Sequence, residues 1–99
     1  MNIVRMKDEN TDESAVALSG KVGDTHHAIS SLVEELEAID LYNQRIGVCD
    51  EDSLRAILAH NCDEEKEHAA MLLEWLRRTD SVLDHELKDF LFTEKAITD

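Results

Sequence analysis

The sequence predicts an all-α protein: an antiparallel two-helix hairpin followed by a short third helix. Three observations carry that reading. The 99 residues contain no proline and only three glycines, so helices can run long without the residues that most often interrupt them. Over two long stretches the apolar residues recur at three- and four-residue spacing, the period of one helix face. The polar break between these stretches is short, so the two helices must fold back on each other.

Taken in order, residues 1–18 are largely polar and acidic, with Ala15, Val16, Ala17 and Leu18 as an apolar run at their end. They show no sustained period and are expected to form a flexible segment ahead of one helical domain over 19–99. From about Ser19 to Ile46, the residues Ala28, Ile29, Leu32, Leu36, Ile39 and Ile46 mark one face of a first helix. Ser19 or Thr25 offers an N-cap, Gly20 and Gly23 weaken the first turns, and Gly47 is the expected terminator. Asp50 should cap a second helix, with Glu51 and Asp52 at the positive end of its dipole and Arg77 and Arg78 at the negative end. A third helix should follow Thr79 or Asp80, with Leu83, Leu87, Phe90 and Leu91 on one face, and the chain after Thr93 reads as irregular.

Composition narrows the partners. The formal charge is −13, which argues against nucleic acid and anionic membranes, because binding them needs clustered Lys and Arg. Cations or basic surfaces suit it better. The N-terminus has no apolar signal region and no stretch of 18 apolar residues occurs, so a soluble cytoplasmic protein is expected. A chain this short buries only about 60–65% of its unfolded surface, and oligomerisation would complete a thin core. Cys49 and Cys62 are too few and wrongly spaced for a disulfide framework or a Cys-x-x-Cys site and read as free thiols.

The chemistry lies where polar residues break the apolar pattern. On the second helix the stripe is drawn by Leu54, Ile57, Leu58, Ala69, Leu72, Trp75 and Leu76, with Met71, Leu72 and Trp75 expected in the bundle core. Glu65 and His68 fall inside that stripe. An unpaired carboxylate in an apolar interface costs several kcal/mol, so the pair needs a partner. A Glu-x-x-His step aims a carboxylate oxygen and an imidazole nitrogen at one point, which suits a metal ion; a salt-bridged or water-bridged pair is the alternative. On the first helix Glu35 lies at the edge of the apolar stripe between Leu32 and Ile39, with Tyr42 two turns further on. Di-iron carboxylate bundles use a Glu from each of two helices and a Glu-x-x-His from each of two others. This hairpin carries half of that set, so two copies about a twofold axis would complete it as a four-helix bundle.

Several segments go further. Glu34-Glu35-Leu36-Glu37-Ala38-Ile39-Asp40-Leu41-Tyr42-Asn43-Gln44-Arg45, then His60-Asn61-Cys62-Asp63-Glu64-Glu65-Lys66-Glu67-His68-Ala69-Ala70-Met71, then Leu73 to Arg78 and Phe90 to Glu94, resemble the encapsulated ferritins. These are short ferroxidases packaged inside encapsulin nanocompartments. The resemblance covers roughly residues 18–97 and implies a ferritin-like four-helix bundle formed by a dimer, assembled further into a decameric ring. It implies a di-iron centre at each dimer interface, two iron ions held by Glu35, Glu65 and His68 from both chains. Glu65 would bridge, Glu35 and His68 would be terminal ligands, and Tyr42, close by, would cap the catalytic centre with them or serve as a plain packing residue. Glu34 and Glu37 match an entry site for metal on the other face of the first helix. His60, Glu64 and Glu67 match a weaker external site, and their i, i+4, i+7 spacing agrees.

Two departures stand out. Leu41 replaces the family's usual Trp before Tyr42, which puts in doubt any packing role at the metal entrance, and its outward direction suggests a further protein interface. Lys95-Ala96 replaces the usual Gly-Pro or Arg-Pro. A Gly-Ser-Leu type targeting extension does not occur within these 99 residues, and the means of recruitment to a shell stays open. The implied function is oxidation of Fe(II) to Fe(III) by dioxygen, supplying iron for mineralisation and storage inside the shell. The competing readings are a rubrerythrin-like peroxide reductase, disfavoured because no four-cysteine rubredoxin site is present, and a non-catalytic acidic module that buffers metal or tethers a partner. His26, His27 and His85 have no ligand-like spacing and are assigned no role.

Overall fold

The computed structural model describes residues 20–99, in which three helices account for all regular structure. The helices are α1 (Gly20–Val48), α2 (Asp52–Thr79) and α3 (Ser81–Phe90). The expectations for residues 1–18 and for a Ser19 cap lie outside the described residues. Both long helices run about 42–43 Å at 1.5 Å per residue, and α1 packs along α2 as an antiparallel hairpin.

The helix ends differ from expectation by one or two residues, each for a local reason. Thr25 lies inside α1 rather than capping it. Gly47 does not stop α1, because it lacks the left-handed backbone of a terminating glycine; the helix continues to Val48, and the Cys49 N–H donates to the Ile46 carbonyl at 3.3 Å. The cap of α2 is Glu51 instead of Asp50. Its carboxylate accepts from Leu54 N–H at 2.8 Å and Ser53 N–H at 3.3 Å, satisfying two of the free donors at the helix start. Arg55 then donates from Nε and Nη2 to the Cys49 carbonyl at 3.1 and 2.8 Å, tying the connecting loop to the second helix. Asp80 caps α3, accepting from Val82 and Leu83 N–H at 3.0 Å each.

The core is thin. Among the described residues the fully buried apolar side chains are Ala38, Cys62, Ala69 and Leu76, and Glu65 is buried with them at 4% exposure. Small side chains dominate this set, so the helix axes approach closely around Glu65. The Cys62 thiol fills the seam one turn before it, near Asn43 Oδ1 at 3.6 Å and the Ile39 carbonyl at 3.9 Å.

The single apolar stripe expected on α2 resolves into two lines. Leu58, Cys62, Glu65, Ala69, Leu72 and Leu76 face α1, and every one of them is buried or half-buried. Stepping back one residue from each rotates the view by about 100° and gives Ile57, Asn61, Glu64, His68, Met71 and Trp75, with Leu54 continuing the line. Here the large apolar side chains remain 39–58% exposed: Trp75, Leu54, Ile57 and Met71. Met71 and Trp75 are therefore not core within one chain. On α1, Ile29 and Leu36 likewise leave the core face and join Val22 and Val33 as an exposed line. Because the helices are antiparallel, a step forward on α1 and a step back on α2 turn to opposite sides, so the hairpin is apolar on two faces.

No side chain of α3 is fully buried. It is held to α2 by half-buried Leu83 and Leu87 and by ion pairs. Arg77 grips Glu74 of its own helix with two bonds of 2.7 Å and reaches across to Asp84, which also pairs with Lys88 at 3.2 Å. Phe92, just beyond α3, takes a positive φ of 58° and projects into solvent.

Candidate metal centre

Glu35 on α1 and the Glu65–His68 step on α2 meet across the hairpin. His68 Nδ1 lies 3.6 Å from Glu35 Oε1 and 3.5 Å from Glu65 Oε1. One donor atom from each residue falls within 4.8 Å of the others, the only such cluster of His, Cys, Asp and Glu among the described residues. Two donors bonded to one ion at about 2.1 Å lie about 3.0–3.4 Å apart, so the three groups are already spaced nearly as a coordination shell requires. Two carboxylate oxygens and one imidazole nitrogen form a mostly hard donor set, which suits iron in either oxidation state.

The local sequence explains the convergence. Glu65 is on the line that faces α1, so it points inward; His68, three residues later, lies on the exposed line and reaches back toward it. Ala38 and Ala69 flank the carboxylates and leave room for them. The Glu65 side chain is 6% exposed, Glu35 24% and His68 45%, so the site opens in the direction of His68. In the metal-free chain burial raises the Glu35 carboxyl from 4.5 to about 7; the hydrogen bond and negative charge of Glu65 add to the rise, and His68 offsets part of it. Two carboxylates crowded this closely at the edge of a core demand either a proton or a cation between them.

The other predicted site residues lie outside this cluster. Glu34 is half-buried and Glu37 exposed on α1. His60 Nε2 pairs with Glu64 Oε2 at 3.3 Å on the surface, whereas Glu67 lines a shallow depression with Met71, Trp75 and Arg78 instead of joining them. Tyr42 is half-buried, and the Arg45 guanidinium stands 5.8 Å from its ring centroid. Arg45 follows Tyr42 by three residues, one helical turn, which is what brings the two side chains together. Leu41 is half-buried.

A helical hairpin that brings one glutamate from its first helix onto a Glu-x-x-His of its second carries the side-chain types that make up half of a ferritin-like carboxylate site. Comparison with known proteins agrees. The EncFtn-like family matches residues 10–94. The encapsulated ferritin-like protein of Rhodospirillum rubrum is 52% identical over 89 residues, covering 90% of this chain and 64% of that protein. An encapsulin nanocompartment cargo protein, EncC of Myxococcus xanthus, is 43% identical over 81 residues, covering 79% and 62%. The chain thus spans less than two thirds of the length of these two relatives. The crystal structure of protein ne0167 from Nitrosomonas europaea superposes with a TM-score of 0.80 at 65% identity, over 83% of this chain and 90% of that one. The chain belongs to the EncFtn-like family of encapsulated ferritins.

Proposed function

We propose that this chain is a ferroxidase whose di-iron centre is completed only when two copies meet. Membership of the EncFtn-like family supports a ferritin-like, iron-related role. The observation that carries the finer reading is the opening of the triad onto an uncovered apolar line. His68 stands on the same line of α2 as Leu54, Ile57, Met71 and Trp75, so a second copy seated there would dry the site and bring three more ligands to it. Six side chains would then serve two ions.

In this reading Fe(II) is the substrate. Glu65 bridges, Glu35 and His68 bind terminally, and each ferrous ion gives one electron to dioxygen, which with two protons leaves as hydrogen peroxide while two ferric ions remain. Hard carboxylate oxygens favour the ferric product. Glu35, held near neutrality as an acid in the empty site, gives up its proton when the metal arrives. Tyr42 packs beside the centre. Glu34 and Glu37 form the approach for incoming metal, and His60 with Glu64 a weaker outer site. The dimer would be the minimal unit of a decameric ring, and an encapsulin shell in the cytoplasm would enclose it and retain the mineral. The name of the Myxococcus relative, an encapsulin nanocompartment cargo protein, supports the shell as partner.

Adding Fe(II) in air tests the proposal. Expected are rapid growth of ferric absorbance, oxygen consumption and saturation near two irons per dimer, all abolished in Glu35→Ala, Glu65→Ala and His68→Ala. Metal binding without oxygen consumption would replace the enzyme with a metal-buffering module.

A further inference from the structure

We infer that Asn61 sets the register in which a second copy of this chain lies on the exposed line of α2. The inference rests on the paired site proposed above. Asn61 stands four residues after Ile57 and seven before His68, on that line and two turns from the metal ligands. The line is otherwise mostly apolar, and Asn61 is half-buried within it. Its side-chain amide, with two N–H donors and a carbonyl acceptor, makes no hydrogen bond among the described residues. Glu64, the other polar residue near it on the line, already pairs with His60.

In one chain, water serves the amide. Once a second hairpin covers Leu54, Ile57, Met71 and Trp75, that water is excluded and the amide must find polar atoms on the incoming copy or stand unsatisfied. A single asparagine in an apolar helix seam selects one register and one oligomer size, at a cost in stability. Register matters here beyond packing. A slip of one helical turn carries the incoming triad about 5.4 Å along the axis, further than the 3.5–3.6 Å that separates the ligand atoms within one triad. Two ions could not then share both sets. The occupant is a second copy because the line runs continuously through His68, and the residues that complete the site are the same three again.

Cys49 at the hairpin tip is half-exposed while Cys62 is buried, so a spin label on Cys49 reads the distance between copies. The wild-type chain is expected to give a narrow shortest inter-copy distance, that within the pair, and to bind one Co(II) per chain. Asn61→Leu should associate at least tenfold more tightly in chelator, yet show that shortest distance broadened or split and bind less than one Co(II) per chain. Asn61→Ala, which adds no bulk, should broaden the distance without the tighter association. An unchanged, narrow shortest distance and full Co(II) binding in both variants would overturn the role of Asn61 and leave the paired site standing. If the wild-type chain itself gave no inter-copy distance, the paired site and the role of Asn61 would fall together.

Discussion

Replacing Glu35 by glutamine removes a charge and keeps the shape, and its effect in the metal-free chain can be worked from the site. Burial, then Glu65, hold the Glu35 carboxyl at about 7 against an ordinary 4.5. Below pH 4.5 the group is protonated whether the chain is folded or not. As the pH rises from 4.5 to about 7 the unfolded chain releases the proton while the folded chain keeps it, so native stability falls, and the full loss is present above pH 7. At 1.36 kcal/mol per pH unit that loss is about 3 kcal/mol, reduced to about 2 kcal/mol by the water that still reaches a side chain 24% exposed. Glutamine carries no such load. In chelator, Glu35→Gln should therefore be about 2 kcal/mol more stable than the wild type at pH 8 and indistinguishable from it near pH 4, as read by urea unfolding followed at the helical circular-dichroism band. Adding Co(II) should reverse the order, because ligation stabilises only the intact triad. A variant no more stable than wild type at pH 8 in chelator would refute the reasoning.

Three further outcomes are expected. His68→Ala should lower Co(II) affinity by at least tenfold in calorimetry while leaving helix content unchanged, since His68 is the most exposed of the three ligands. Acid should release α3 before the hairpin melts: the Arg77 and Arg78 bonds hold the Glu74 carboxyl down at about 2, and Arg77 with Lys88 hold Asp84 below its ordinary value. These pairs are intact above the ordinary carboxylate range and are lost as the pH falls through the lowered values, so the protection of α3 amides, taken against the intrinsic exchange rate at each pH, should fall between about pH 4 and pH 2. Glu51→Ala should cost about 1 kcal/mol by leaving the Leu54 and Ser53 N–H groups without their cap, measurable as a lower melting temperature.

The order of elements and the triad were legible in the sequence because each rests on a strong local signal. Helical period defines α1 and α2, and Glu65 and His68 announce themselves as charges inside an apolar stripe. The finer partition was not legible. Period alone cannot separate two lines of residues only about 100° apart, so Trp75 and Met71 merged with Leu72 and Leu76 into one expected core, and Ile29 and Leu36 with Leu32 and Ile39. The α2 cap escaped for another reason. Asp50, Glu51 and Asp52 are all acidic, and only the backbone decides which carboxylate can turn back on the helix start; at Glu51 it is extended, with φ −87° and ψ 117°.

The loop clasped by Arg55 has a kinetic consequence. Three residues join the two long helices, and the contacts that close the hairpin begin six residues apart at Arg55–Cys49, widen to nineteen at Cys62–Asn43 and to thirty-three at His68–Glu35. A helical hairpin that can zip outward from its loop in this way folds quickly, on the microsecond-to-millisecond scale. Each copy therefore presents its three ligands before it meets another, and the slow, concentration-dependent event is the encounter of two finished halves. Under the proposed function, the rate at which paired centres appear should follow the square of the chain concentration, so that synthesis of the protein would itself gate how soon iron oxidation begins.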